Sequence, residues 1–199
     1  CIFVADSEEL DGNRKSVYGQ ANKDKLSFDD ISVLQYKNFD VCFPRGSMTT
    51  FFERPGLQPF LDWLFKNYNV SVWTAASKDY ALFIVDKILL GGHPERKLDW
   101  IFFSYHCDIS KKMKKGTKDL STIWDLYKIV GFDQNNTVII DDYDEVYKTQ
   151  PNNCIIAQPF EFNDDKSDKD DYLSRLQSAM PKMENKHPAH KINQEMKTV

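Results

Sequence analysis

Short runs of apolar residues, separated by longer segments with helical periodicity, are the feature that most constrains the fold of this chain. The runs cover residues 70–74, 100–104, 138–140 and 154–157. They show little alternation of polar and apolar side chains, which is typical of strands that are covered on both faces. Strands of this kind that alternate with helices predict an α/β fold, with a Rossmann-like parallel sheet and helices on both faces.

The segments between the runs carry the helical signals. Residues at the i, i+3, i+4 and i+7 spacing of an amphipathic helix are Leu57, Phe60, Leu61 and Leu64. Residues 78–90 are apolar on nearly every face and predict a buried helix, which ends at Gly91 and Gly92. Further helices are predicted around residues 120–127 and 172–180.

Two short apolar runs precede the first of these helices. Residues 41–43 and 49–52 flank the turn-forming residues 44–47, which predicts a β-hairpin insertion before the sheet. We interpret residues 1–180 as one domain and residues 181–199 as a disordered tail. Because the chain opens on Cys1 and enters an apolar run at once, we expect a fragment whose first strand begins upstream.

Composition excludes several classes of protein. A formal net charge of -4 does not supply the positive field that nucleic-acid binding usually needs. No apolar run is long enough to cross a membrane, and no signal peptide is recognisable. The cysteines lack the spacing of a zinc site and are interpreted as buried thiols. We therefore expect an intracellular protein, cytoplasmic or nuclear, with neither nucleic acid nor membrane as a partner.

Polar residues that follow the strands are the candidates for chemistry, because ligands of parallel sheets bind beyond the carboxyl ends of the strands. Asp141 and Asp142 follow residues 138–140 directly. Two neighbouring carboxylates repel each other, and a cation with oxygen ligands resolves the repulsion, so the pair predicts a Mg²⁺ site. The alternative is that one carboxylate caps the following helix while the other is solvated.

Thr74 and Lys118 are the other two candidates. Thr74 ends a strand, so that its hydroxyl and the N–H groups after it suit a phosphoryl oxygen; it could equally cap the next helix. Lys118 stands where a loop enters a helix and opposes the helix dipole, which hints at a compensating anion. The alternative is a solvated basic loop, which we prefer for the neighbouring lysines, Lys111, Lys112, Lys114 and Lys115.

In their order along the chain these motifs resemble those of the NLI-interacting-factor-like phosphatases of the haloacid dehalogenase superfamily. The motifs are residues 54–56 before an amphipathic helix, residues 73–77, residues 118–121, and residues 138–142 with Tyr147 after them. The resemblance covers about residues 51–160. The family includes the small phosphatases that act on the C-terminal domain of RNA polymerase II.

The resemblance implies a Mg²⁺-dependent mechanism through an aspartyl phosphate. In the family an Asp-x-Asp-x-Thr motif ends the first strand; its first Asp attacks phosphorus and its second is the general acid and base. By the same resemblance Thr74 holds a phosphoryl oxygen and Lys118 neutralises the phosphoaspartate. Asp141 and Asp142 form the acidic pair at the metal, where family members often carry Asp-Asn.

The chain departs from the family because it contains no Asp-x-Asp-x-Thr motif. Either the motif lies immediately upstream of Cys1, or residues 2–4 are the motif strand and Asp6 begins a degenerate or lost motif. The first hypothesis is therefore a phosphatase that hydrolyses phosphoserine or phosphothreonine on a protein. The alternative is a catalytically inactive pseudophosphatase that binds a phosphorylated or acidic protein partner.

Overall fold

The computed structural model describes residues 3–8, 38–42, 48–180 and 189–197. They belong to two compact units. One unit comprises residues 1–57 and 158–173, and the other comprises residues 58–157 and 174–199. The single domain predicted over residues 1–180 stays a prediction.

The first unit contains a three-stranded antiparallel sheet. Its strands are β1 (Phe3–Glu8), β2 (Asn38–Cys42) and β3 (Met48–Glu53), in the order β1-β3-β2. Cys42 pairs with Met48 where β2 leads into β3, which confirms the predicted hairpin.

The end of β3 is fixed by buried contacts within the same unit. Arg54 is 2% exposed and donates two hydrogen bonds of 2.7 Å to the carboxylate of Asp170. A third donated bond reaches the carbonyl of Gln158, and the guanidinium lies over the ring of Tyr172. Gly56 follows with φ of 77°, a left-handed conformation that favours glycine, and the turn leads into the first helix.

The second unit opens with helices and strands in alternation. They are α1 (Leu57–Asn67), β4 (Val70–Trp73), α2 (Lys78–Ile84) with a π-helical continuation (Val85–Leu90), β5 (Leu98–Phe102) and α3 (Ser104–Met113). β4 and β5 pair in parallel, with Trp73 opposite Phe102. Gly91 ends the π-helical segment with φ of 53°, where the sequence predicted the helix to stop.

The remaining elements follow the same alternation. They are a π-helical turn (Thr122–Leu126), β6 (Ile139–Asp141), α4 (Asp144–Thr149), β7 (Cys154–Ile156), a 3-10 turn (Ser167–Lys169), α5 (Tyr172–Ala179) and α6 (Ala189–Glu195). β6 and β7 pair in parallel, with Asp141 opposite Ile156. These parallel pairs and their helices confirm the α/β fold.

Part of the core of the second unit lies beside β4 and β5. Its buried members are Trp73, Phe102, Cys107, Leu120 and Ile123. The sequence placed the β5 run at residues 100–104, whereas the strand spans residues 98–102. The difference arises because the imidazole Nδ1 of His106 accepts a hydrogen bond from the Phe103 N–H, which starts α3 directly after the strand.

The predicted disordered tail is wrong for the part that forms α6. Ala189, Ile192 and Met196 are buried at helical spacing. The Asn193 side chain accepts a hydrogen bond from the Ile156 N–H and donates one to the Cys154 carbonyl. It thereby satisfies backbone groups of β7 that would otherwise lack partners. The rest of the predicted tail, residues 181–188 and 198–199, lies outside the described residues.

No helix in the described part of the chain is long and apolar enough to cross a membrane.

Candidate active site

Thr74 lies directly after β4 and extends its pairing with β5. Its N–H donates to the carbonyl of Phe102 at 2.9 Å, and its hydroxyl accepts a hydrogen bond from the Ala76 N–H at 3.1 Å. The α2 helix begins at Lys78 with Ser77 in the N-cap position. Thr74 therefore does not cap this helix. Its hydroxyl is held in a tight turn at the carboxyl end of the strand.

Lys118 is brought against Asp141. The Lys118 Nζ lies 2.6 Å from Asp141 Oδ2, and the side chains are only 13% and 6% exposed. Because water screens a buried ion pair little, the attraction between its two charges is stronger than in an ion pair exposed to water. Two of the four predicted site residues thus form one contact at the carboxyl end of β6.

Asp141 and Asp142 occupy different environments although they are neighbours. Asp141 is buried, and its Oδ1 accepts a hydrogen bond from the Tyr143 N–H at 2.9 Å. Asp142 is exposed. The α4 helix begins at Asp144 with Tyr143 in the N-cap position, so neither carboxylate is its N-cap. The alternative that one of them caps this helix is therefore wrong.

A loop of well-anchored backbone presents Lys118. The side-chain amide of Gln150 donates to the Lys118 carbonyl and accepts from the Leu120 N–H, at 2.7 and 2.9 Å. Glu145 accepts hydrogen bonds from both the N–H and the hydroxyl of Thr117. Gln150 and Glu145 were not predicted, because a single Gln or Glu at a helix end carries no recognisable sequence pattern.

Two buried thiols border the Lys118–Asp141 pair. Burial raises the pKa of Cys107, although the nearby charge of Lys118 acts in the opposite direction. Burial, reinforced by the negative charge of Asp141, raises the pKa of Cys154 to about 12. Both sulfurs are protonated at neutral pH, which excludes these two cysteines as thiolate nucleophiles. A phosphatase mechanism with Cys107 or Cys154 as the nucleophile therefore has no support.

Aromatic side chains surround the carboxyl end of β5. The His106 ring stacks on Phe102 with 4.4 Å between ring centroids, and Tyr105 beside it is 62% exposed. Burial lowers the pKa of His106, so its ring is neutral at pH 7. Phe102 itself packs in the core.

One further group of ionisable side chains lies away from these strand ends. Among the described residues, the single group of three His, Cys, Asp or Glu whose ligand atoms lie within 4.8 Å of one another is Asp62, His93 and Glu95. The last two precede β5, at the edge of the sheet opposite to Thr74. The buried guanidinium of Arg96 donates to Asp62 at 2.6 Å and holds the pKa of that carboxyl below its usual range. The group is therefore an ion-pair network distinct from the predicted site.

Comparisons with known proteins show which family the sequence resembles. The sequence profile of the NLI interacting factor-like phosphatases matches residues 22–189. The CTD phosphatase-like protein 355R of Invertebrate iridescent virus 6 is 42% identical over 160 residues, which cover 77% of this chain and 88% of that protein. Its counterpart in Invertebrate iridescent virus 3 is 40% identical over 134 residues, covering 65% of this chain and 71% of that protein.

A solved structure shares the fold. The fission yeast RNA polymerase II CTD phosphatase Fcp1, bound to beryllium fluoride, aligns with a TM-score of 0.51 at 22% sequence identity. The alignment covers 99% of this chain and 47% of that chain, so the chain spans about half the length of this structural relative. The family profile covers most of the chain and includes every predicted site residue. The chain belongs to the NLI interacting factor-like phosphatases, a family of the haloacid dehalogenase type.

Proposed function

We propose that the protein is a Mg²⁺-dependent phosphatase that removes phosphate from phosphoserine or phosphothreonine on a protein substrate. The observation that carries the proposal is the buried Lys118–Asp141 ion pair at the carboxyl end of β6, in a chain of a phosphatase family. In the proposed reaction a carboxylate oxygen bonds to phosphorus and the ester P–O bond breaks. The leaving alcohol takes a proton from a second acid, and water then hydrolyses the acyl phosphate.

Lys118 supplies fixed positive charge in this reaction. Its ammonium group is anchored by Asp141 and is largely shielded from water. Preorganised charge in a water-poor site stabilises developing negative charge without reorganisation. Lys118 therefore balances the negative charge of the phosphoryl group, and its ion pair with Asp141 fixes the position of the ammonium group.

The carboxylates at the exit of β6 fit the implied Mg²⁺ ion. Asp141 and Asp142 offer the hard oxygen donors that Mg²⁺ prefers, and Asp142 is exposed. Asp141 Oδ2 accepts a hydrogen bond from the Lys118 ammonium and Oδ1 accepts one from the Tyr143 N–H, so each oxygen retains a further lone pair. When bound, Mg²⁺ supplies Lewis-acid stabilisation of the phosphoryl oxygens.

Thr74 contributes to binding of the phosphoryl group. Its hydroxyl already accepts the Ala76 N–H, so the hydroxyl proton is directed away from that contact and is available as a donor. A hydrogen bond from it to a phosphoryl oxygen fits the position of Thr74 at a strand end.

The attacking carboxylate belongs, in this proposal, to a parallel strand encoded before Cys1. β1 pairs with β3 in antiparallel orientation, with Asp6 opposite Thr50. The antiparallel pairing of β1 argues against the interpretation of residues 2–4 as the motif strand, of which residue 2 lies outside the described residues. β4 and β6 each have one strand partner among the described residues, and Val72 and Ile140 within them are only half-buried. A further strand beside them would cover these side chains.

A second candidate function rests on the missing motif. Because the sequence has no Asp-x-Asp-x-Thr motif, this candidate uses the same strand-end residues to bind a phosphorylated or acidic protein without turnover. The predicted intracellular location stays a prediction for both candidates.

Hydrolysis assays separate the two. We expect a version extended upstream to hydrolyse p-nitrophenyl phosphate and a phosphoserine peptide in Mg²⁺, and to lose activity in EDTA. Binding of the phosphopeptide with no release of phosphate, by an extended version that still lacks an Asp-x-Asp-x-Thr motif, would establish the pseudophosphatase instead.

A further inference from the structure

We propose that Gln150 is a positioning residue for Lys118. Its side-chain amide fixes the backbone on both sides of the lysine and so determines where the ammonium group stands. The inference rests on the proposed function, because it assigns Gln150 a part in the same site.

Both ends of the Gln150 amide are used on one short segment. Nε2 donates to the Lys118 carbonyl at 2.7 Å, and Oε1 accepts from the Leu120 N–H at 2.9 Å. This segment has no regular secondary structure that would satisfy those groups itself. A single planar side chain therefore replaces the hydrogen bonds of a neighbouring backbone.

The same segment is anchored at its other positions. The Ser110 hydroxyl donates to the Gly116 carbonyl and accepts from the Asp119 N–H. A Cβ atom at position 116 would lie 2.8 Å from the Thr149 methyl group of α4, so the segment approaches this helix as closely as glycine permits. The contacts leave Lys118 little freedom except in its side chain.

These contacts close a ring through the site. α4 begins three residues after Asp141, and Gln150 follows its last residue. From Gln150 the ring returns through the Lys118 backbone to Nζ and, at 2.6 Å, to Asp141 Oδ2. The lysine is thus held at both ends by one segment of chain. Without the two hydrogen bonds of Gln150 the backbone of Lys118 is released and its ammonium group is displaced. The contribution of that group to catalysis depends on its position.

A double-mutant cycle tests the proposal. In the active form of the protein, we expect Gln150→Leu to lower kcat for p-nitrophenyl phosphate by about tenfold, with a smaller change in KM. In a Lys118→Met background, Gln150→Leu should have no further effect on kcat, since the group that it positions is gone. Equal losses in both backgrounds would show that Gln150 serves only stability, and would overturn the proposal.

Asn153 provides the matched control. It lies in the same connection, and its amide donates to the Gln134 and Thr137 carbonyls at 2.8 Å, away from Lys118. Asn153→Ala should lower the melting temperature about as much as Gln150→Leu and leave kcat unchanged. If the leucine variant does not fold, Gln150→Glu, which keeps the acceptor for Leu120 and loses the donor to Lys118, takes its place in the cycle.

A measurement without substrate separates this inference from the proposed function. If no version of the protein hydrolyses phosphate esters, the proposed function fails, and the clamp is judged by nuclear magnetic resonance. We expect Gln150→Leu to shift the Lys118 ¹⁵Nζ resonance and to speed hydrogen exchange at the Leu120 amide, and Asn153→Ala to do neither. An unchanged Lys118 resonance in the Gln150 variant overturns the positioning role.

Discussion

Lys118 differs from the neighbouring lysines in its surroundings. Lys111, Lys112 and Lys115 are exposed, as predicted for solvated lysines, but Lys111 and Lys112 belong to the last turn of α3 and not to a loop. Lys118 is largely buried and paired with Asp141. Charge patterning alone could not separate it from its neighbours, because burial is decided by residues distant in sequence. Its resemblance to a family motif made the distinction possible.

Lys118→Met should affect both turnover and stability. We expect turnover to fall by about two to three orders of magnitude, as for loss of one preorganised electrostatic group. From the sequence, no effect on the fold is expected, since a loop lysine carries little packing. The ion pair corrects that expectation: the substitution leaves the buried Asp141 carboxylate unpaired, which costs about 3 kcal/mol in the free energy of unfolding.

Kinetic assays and urea unfolding measure the two effects separately. Adding Asp141→Asn to Lys118→Met should recover part of the lost stability, because it removes the unpaired charge, but none of the turnover. If Lys118→Met leaves the free energy of unfolding unchanged, the Lys118–Asp141 ion pair does not stabilise the fold.

Asp142 gives the second prediction at this scale. Its exposed carboxylate is accessible to a hydrated ion, so Asp142→Asn should weaken Mg²⁺ binding measured by calorimetry. Binding should be weak in the chain as given, since the proposed upstream strand would add another ligand. Asp99→Asn is a control, because this exposed residue of the same unit lies near the amino end of β5, at the edge of the sheet opposite to Thr74. Indistinguishable Mg²⁺ heats for wild type and Asp142→Asn would remove this residue from the proposed metal site.

At the scale of elements, the sequence predicted what repeats along the chain and missed what depends on a single contact. The strands β4 to β7 and the helices α1, α2 and α5 follow from periodicity and apolar runs, whereas α3 was not predicted. The helix α6 was missed because its segment is polar overall, although Ala189, Ile192, Asn193 and Met196 stand on one face. Its stability comes from β7, whose edge Asn193 completes, and no local pattern reports such a contact.

Asn193→Ala should therefore destabilise the second unit. The change removes two hydrogen bonds and leaves the Ile156 N–H and the Cys154 carbonyl without these partners, for a loss of about 2 to 3 kcal/mol. Lys191→Ala, on the exposed face of the same helix, should change the free energy of unfolding by less than about 0.5 kcal/mol. Chemical denaturation of both variants measures the difference. Equal stabilities would mean that α6 does not protect the edge of β7.

Glu145 links α4 to the Lys118 loop in a manner that depends on pH. Hydrogen bonds donated by Thr117 lower the pKa of Glu145. A carboxyl group with a lowered pKa in the folded state contributes stability above its unfolded pKa of about 4.5 and loses it as the pH falls through the folded value. Glu145→Gln should thus lower stability at pH 7, and the two unfolding free energies should converge as the pH falls through the lowered pKa of Glu145. Parallel curves from pH 7 to pH 3 would rule out this linkage.

At the scale of the whole molecule, the order of motifs indicated the family before any contact was known. Periodicity indicated the α/β class, and four motifs in sequence order carried the resemblance that the family profile confirms. How the strands of the first unit pair could be learned only from the structure. An apolar run has the same composition in a parallel and in an antiparallel strand, and for Phe3 and Val4 only the partner strand β3 decides between them.

The last prediction concerns the strand that the proposed mechanism places before Cys1. β4 and β6 have half-buried apolar residues and one strand partner each within the described residues. Restoring about ten upstream residues should therefore raise the melting temperature, since a central parallel strand buries apolar surface on both faces and pairs free backbone groups. Turnover of an aryl phosphate should rise as well, because the attacking carboxylate comes with that strand. The contrary result is that residues 1–199 alone already hydrolyse the ester in Mg²⁺ and that Asp6→Asn abolishes this activity. Asp6 would then be the nucleophile.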